Sequence, residues 1–286
     1  MPLAVQLVDW LVVGAYCAFV VVVGVLSKKK QEDADDYLLG GGRLPWWAIG
    51  VSLIATSFSS LSLLGWTDLA YASNFVWFQL QIGDLLAIGI VCVVFMPFFA
   101  QSKEATAYAF LERRLGRASR WVASALFHLF VLARAGLLLF ATAAAGAQLL
   151  GVTEHLGWVI VTVGVAAIAY SAIGGLGAVV WTDTVQLLLV VVGVGACFAI
   201  AVALLPGGLG DVTARLQASD RPAFVDPSTD LGRFPTLLSS IVAYGVLALA
   251  VAGTNQQAVQ RYLACEDLRA ARRAALLGWG IGAFVV

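Results

Sequence analysis

Ala55-Thr56-Ser57-Phe58-Ser59-Ser60-Leu61-Ser62 places five hydroxyls within seven residues, in the middle of an otherwise apolar segment, 46–69. One or two serines in an apolar helix bond back to the carbonyl one turn earlier and do nothing else. Five together read as the polar centre of an interrupted helix. An interruption frees backbone carbonyls, and hydroxyls beside them extend the set of oxygen ligands. Discontinuous membrane helices present a small hard cation such as sodium with this kind of shell.

The surrounding chain makes that segment one of a series. Of 286 residues, 61% are hydrophobic and 12% charged. A soluble domain carries about 25% charged residues. The composition therefore excludes a soluble enzyme, a nucleic-acid-binding protein and a disordered scaffold, and leaves an all-α integral membrane protein in a lipid bilayer. A spanning helix needs about 20 mainly apolar residues. The pattern predicts spans over 7–26, 46–69, 78–99, 121–150, 156–173, 181–205 and 236–260, with an eighth from 274 to 286. They form a single transmembrane domain over 1–286. No strand alternation suggests a barrel. Cys17, Cys92, Cys197 and Cys265 lack metal spacing and predict no disulfide frame.

Basic residues orient the helices. Lys28, Lys29, Lys30 and Arg43 follow the first span, Lys103, Arg113, Arg114, Arg117 and Arg120 the third, and Arg261, Arg269, Arg272 and Arg273 the seventh. Only Arg215, Arg221 and Arg233, in the loop 206–235, fall on the other side. The first set is expected in the cytoplasm and the N-terminus outside. A helix over 274–286 would be about 20 Å long against a hydrocarbon core of about 30 Å. The expectation is an N-terminal portion of a longer protein.

A second interruption lies in the seventh span, at Tyr244-Gly245 and Gly253-Thr254-Asn255-Gln256-Gln257. Interrupted helices five apart suggest a five-plus-five inverted repeat behind one leading helix, with the first repeat and the start of the second present. Arg134 lies inside the fourth span and needs a partner. Asp183 and Asp84 are the candidates, and Arg134 with Asp183 is the expected structural ion pair. His128 reads as a helix-packing residue. Gly174-Gly175-Leu176-Gly177 reads as a tight turn between spans.

Four ordered motifs carry a resemblance: Tyr37-Leu38-Leu39-Gly40-Gly41-Gly42-Arg43-Leu44-Pro45-Trp46-Trp47, Phe110-Leu111-Glu112-Arg113-Arg114-Leu115-Gly116, Gly174 through Gln186, and Asn255-Gln256 with Val259-Gln260-Arg261-Tyr262-Leu263. Together they resemble the sodium:solute symporter family. The resemblance implies a LeuT-type inverted-repeat bundle, here incomplete, and sodium-coupled symport of a small organic solute, with no enzymatic chemistry. It implies sodium at the carbonyls of Ala55 and Phe58, beside Ser59. It also implies an Asp183 that pairs with Arg134 and in some members lines a second sodium site. The positions that contact sugar in the sugar branch become Ser62, Gln81, Ala248 and Gly282, and most depart from that branch. Ser62 and Gln81, with Asn255, are the polar side chains expected to meet solute. The competing reading is a symporter-like sensor fused to a histidine kinase.

Overall fold

The computed structural model describes residues 7–28, 34–42, 44–72, 74–102, 106–218, 224–230 and 232–285. Lys29, Lys30, Arg43, Lys103 and Arg221 from the orientation reading lie outside them. In chain order the helices are α1 (Leu7–Lys28), α2 (Ala34–Leu39), α3 (Trp46–Ser57), α4 (Ser60–Ala72), α5 (Phe75–Ser102), α6 (Ala107–Leu115), α7 (Arg117–Leu149), α8 (Leu156–Ala203), α9 (Gly208–Ala218), α10 (Leu237–Thr254), α11 (Gln256–Leu263) and α12 (Leu268–Val285). There is no strand among the described residues.

Phe75–Ser102, Arg117–Leu149, Gly174–Ala203 and Leu237–Thr254 are each long and apolar enough to cross a membrane, and Trp46–Ser57 and Thr153–Ala169 are shorter apolar helices. Leu126, Leu129 and Leu132 on α7, and Leu188 and Val192 on α8, are exposed. Such continuous apolar faces suit hydrocarbon rather than water.

Several boundaries differ from the sequence reading, each for a local reason. The span expected over 46–69 is two helices, because α3 ends at Ser57 and α4 starts at Ser60. The glycine turn expected between 173 and 181 narrows to one residue. Only Gly175 leaves the helical region, at φ 58° and ψ −161°, and the second arm of α8 begins at once. A straight helix of 48 residues would run about 72 Å, over twice the hydrocarbon thickness. A backbone with positive φ, open to glycine at little cost, breaks it. Leu176, Ala178 and Val180 just beyond the break are buried, so they belong to the core rather than to a surface turn. The span expected over 236–260 ends at Thr254, where extended Asn255 (φ −68°, ψ 127°) starts the separate helix α11. The last helix starts at Leu268, six residues before the predicted 274.

The core forms where α3 meets α8 and α12, and where α5 meets α10. Ala48, Ile49, Leu176, Val180, Ala264 and Ala274 make one buried cluster, and Val91, Cys92, Met96, Tyr262, Ala271 and Ala275 a second. Small residues at these contacts let backbones approach closely, the usual basis of helix packing in membranes. A Cβ built on Gly50 would lie 2.7 Å from the Ala274 carbonyl, and one on Gly83 2.3 Å from the Ser240 carbonyl.

These contacts predict which glycines matter. Gly50→Ala and Gly83→Ala should each lower thermal stability of the purified protein in detergent by about 1–3 kcal/mol, the usual cost of overpacking. Gly89→Ala and Gly136→Ala, which meet nothing within 4 Å, should leave the melting temperature unchanged or raised. Equal behaviour of the two sets would overturn this packing.

Candidate functional site

The break between α3 and α4 is built by two serines. The last ladder bond of α3 runs from the Phe58 amide to the Ile54 carbonyl, at 2.9 Å. The next amide, Ser59 N, donates instead to Ser62 Oγ at 3.2 Å, and Ser62 N donates to Ser59 Oγ at 3.2 Å. This reciprocal pattern is a capping box. Its consequence lies on the acceptor side. Ser59 N would have continued the ladder to the Ala55 carbonyl, and Ser62 N to that of Phe58. Both amides are diverted, so these two carbonyls lose their helical donors at one point in the helix. Ser59 Oγ and Ser62 Oγ are themselves 3.2 Å apart.

Beside the break lies a cavity of about 540 Å³. Phe58, Ser62, Gln81 and Asn255 line it, together with Asp84, Arg134 and Tyr244, over walls such as Leu53, Ile88, Trp66 and Trp279. Ala248 and Gly282 line it too, whereas Ala55 and Ser59 are not among the lining residues. Trp279 Nε1 donates to the Gln81 carbonyl at 3.2 Å, fixing one wall. Asn255 caps α11, its Oδ1 accepting from Gln257 N at 2.9 Å. His128 sits exposed on α7, with Nδ1 2.7 Å from the Ser124 carbonyl.

The expected Arg134–Asp183 pair does not form. Arg134 bonds the Thr56 carbonyl at 3.4 Å and faces the cavity. Asp183 is buried on α8 and pairs instead with Arg261 of α11, Nη2 to Oδ2 at 3.3 Å. Ser52 bridges the two: its hydroxyl accepts from Arg261 Nε at 2.9 Å and donates to Asp183 at 2.5 Å. Arg261 Nη2 also donates to Thr56 Oγ1 at 2.6 Å, and Nη1 to the Gln257 carbonyl at 3.0 Å. The physical reason is proximity of the short helix α11, whose register directs Arg261 inward. Arg261 is 5% exposed, although its place after a long apolar span reads as an orienting surface charge. Ser52 and Arg261 are thus the site residues that the sequence pattern did not single out, whereas Thr56 belongs to the hydroxyl run but bonds the buried pair. The signal available was Arg261 within a quoted motif.

The motifs meet at this same end. Tyr37 Oη donates to the Ala172 carbonyl at 3.3 Å, and Gln260 Nε2 to the Leu38 carbonyl. Trp47 and Trp181 meet edge to face, centroids 5.7 Å apart. The Ala107 amide donates to Gln256 Oε1 at 3.2 Å. A family model described as "Sodium:solute symporter family" matches residues 37–286. The chain belongs to the sodium:solute symporter family.

Named relatives within this family include the sodium/sialic acid symporter SiaT of Proteus mirabilis (strain HI4320), 31% identical over 275 residues. That match covers 93% of this chain and 53% of the relative. The human sodium/iodide cotransporter is 29% identical over 262 residues, covering 91% of this chain and 40% of the relative. A solved structure, described as the substrate-bound outward-open state of a Na+-coupled sialic acid symporter, superposes with a TM-score of 0.86 at 30% identity. It matches 98% of this chain and 59% of that one. The chain spans about half the length of the curated relatives it matches. The fold is the LeuT-like arrangement of this symporter family, and the protein is a multi-pass membrane protein.

Two predictions follow from the geometry of the site. Ser59→Ala and Ser62→Ala should each cost about 1 kcal/mol of stability, the usual value for a lost cap. Each hydroxyl serves a different amide, so the double variant should cost close to the sum of the two singles; a double variant no worse than either single in thermal unfolding would refute the reciprocal box. Removing one partner of a buried ion pair costs about 3–5 kcal/mol, and replacing both costs far less. Asp183→Asn and Arg261→Met should therefore each strongly reduce the yield of monodisperse protein. The double variant should recover much of it, and a double variant worse than both singles would count against the pair.

Proposed function

We propose that this chain forms the cation- and solute-binding region of a sodium-coupled symporter for small organic carboxylates. The observation that carries the reading is the break at Phe58–Ser59, where two carbonyls lose their ladder donors at the edge of a large cavity. Sodium, as a transported substrate, takes the Ala55 and Phe58 carbonyl oxygens, with Ser59 beside them. A bound cation at a helix break stabilises one relative placement of α3 and α4, which line and border the solute cavity. Solute then meets Ser62, Gln81 and Asn255. Each charge moving down a membrane potential supplies about 2.3 kcal/mol per 100 mV, enough to drive accumulation.

Arg134 narrows the cargo. It lines the cavity without an acidic partner among the described residues, and its guanidinium is suited to a planar carboxylate. An unpaired cation in a membrane cavity is costly, and an anionic ligand relieves that cost. Relatives named for sialic acid and monocarboxylates support the same class. Each of these relatives is a transporter by name, which favours symport over the sensor reading. The arginine-rich end, with Arg113, Arg114, Arg117, Arg120, Arg269, Arg272 and Arg273, faces the cytoplasm on the positive-inside rule, and the N-terminus lies outside.

The test is uptake by the intact protein in proteoliposomes. An inward sodium gradient should drive accumulation of a carboxylate solute, and equimolar choline should abolish it at constant pH. Arg134→Met should reduce uptake at least tenfold with folding retained. Uptake indifferent to sodium but following a proton gradient would overturn the proposal.

A further inference from the structure

Asp84 is a charged group in the cavity that symport of a carboxylate leaves unused. It sits on α5, half-buried, and lines the same cavity as Arg134. Its one hydrogen bond among the described residues is from the Tyr244 hydroxyl to Oδ2, at 3.3 Å. Among the described residues no cation lies within ion-pairing reach of it. The ion pairs among the described residues join Glu112 to Arg117 and Arg120, Asp226 to Arg233, and Asp183 to Arg261.

The charges of the cavity can be set against one another. Asp84, Arg134 and Arg261 line it. Arg261 is neutralised by Asp183 behind the wall. That leaves one cation, Arg134, and one anion, Asp84, which do not touch. The remaining walls are mostly apolar, so neither charge is well solvated by its neighbours. A solute bearing only a carboxylate would compensate Arg134 and leave Asp84 without a counter-charge in a half-open cavity with mostly apolar walls. A solute bearing a carboxylate and a protonated amine would compensate both.

The backbone supports Asp84 and Tyr244 as a built pair. A π turn over Ser240–Tyr244 interrupts the α-helical register of α10 just where Tyr244 points at Asp84. Such turns re-aim side chains and recur at functional sites. Gly83, next to Asp84, carries no Cβ, and this lets α5 approach the Ser240 carbonyl at that level. The tyrosine hydroxyl donates to one carboxylate oxygen and leaves the other free for a ligand.

We propose that Asp84, positioned by Tyr244, is a second, acidic pole of the solute site and selects zwitterionic solutes with a protonated amine besides the carboxylate. This rests on Arg134 as the carboxylate pole, and it adds a specificity that Arg134 alone does not give. Matching both charges rejects analogues lacking the amine, because they leave a buried charge unpaired.

The experiment uses the purified intact protein with saturating sodium at pH 7 and reads ligand affinity by thermal stabilisation. The panel is the common α-amino acids, each with its 2-hydroxy and deaminated counterpart, and the matching amines without a carboxylate. The best ligand should carry both groups, and loss of its amine should weaken binding at least tenfold. Asp84→Asn should bring that ratio to about one while binding still needs the carboxylate. Tyr244→Phe, which keeps the ring packing, should reduce the ratio in part. Deaminated acids binding as tightly as their amino counterparts, or a tenfold preference surviving in Asp84→Asn, would overturn the acidic pole. Amines without a carboxylate binding as tightly as zwitterions would instead defeat the Arg134 reading and leave the role of Asp84 standing.

Discussion

An arginine held among packed helices needs a counter-charge and filled hydrogen-bond positions, and Arg261 obtains both from three different helices. Asp183 comes from α8, Ser52 and Thr56 from α3, and the Gln257 carbonyl from α11 itself. The direct contact with the carboxylate is a single bond rather than a two-point fork. Ser52 supplies the second connection by accepting from the arginine and donating to the aspartate. Desolvating two charges is expensive, and such a pair survives only when its lone pairs and protons are nearly all used. This requirement ties together segments far apart in sequence. It locks α3 against α8 and brings the polar helix α11 into the core, where a surface helix would otherwise form.

On the two sides of this locked turn α3 is built in opposite ways. α3 and α12 approach closely enough that a methyl group at Gly50 would collide with backbone. α4 begins after a break and carries no helical ladder bond back to the Ala55 or Phe58 carbonyl. A capping box costs little to form and replaces amide donors without filling the acceptors on the far side. Tight packing at Gly50 and an open backbone at Ala55 thus lie within one span, five positions apart. Carbonyls with oxygen valence to spare are tolerated in a membrane only where they face a cavity or an ion, and the cavity at Phe58 meets that condition.

Much of this was legible in the sequence, and the rest failed for identifiable reasons. The hydroxyl run marked the break because five polar groups in an apolar span violate the local pattern. Ser62, Gln81 and Asn255 do line one cavity, since each interrupts an apolar segment facing the same interior. The misreading of Arg134 and Arg261 came from treating charge by position along the chain. Arg134 sits mid-span and on that ground calls for an acid on a neighbouring span, whereas it faces the cavity. Arg261 sits past the end of a predicted span and on that ground reads as a surface charge, whereas it is buried. What decides between them is the extended backbone at Asn255, a change at one residue that turns a helix terminus into a new helix with an inward face. Hydrophobic periodicity carries no signal for a single non-helical residue, and the same holds for the bend confined to Gly175.

Thr56 is where the buried pair and the cavity meet. Its hydroxyl accepts from Arg261 and donates to the Ser52 carbonyl at 2.8 Å. Its carbonyl accepts from Arg134. One residue therefore bonds the arginine of the buried pair through its side chain and the arginine of the cavity through its backbone. The hydroxyl is held to the helix backbone one turn earlier by its bond to the Ser52 carbonyl, so a shift of the backbone that carries the Thr56 carbonyl is felt by the hydroxyl too. Drawing Arg134 away from that carbonyl leaves it without the donor it has here, at the terminus of a helix already short of donors. The nearest part of the structure able to respond is the turn from Ser52 to Thr56, and that turn holds Asp183 and Arg261 together. The cavity charge and the buried pair are distinct in chemistry, but mechanically they share a single helical turn.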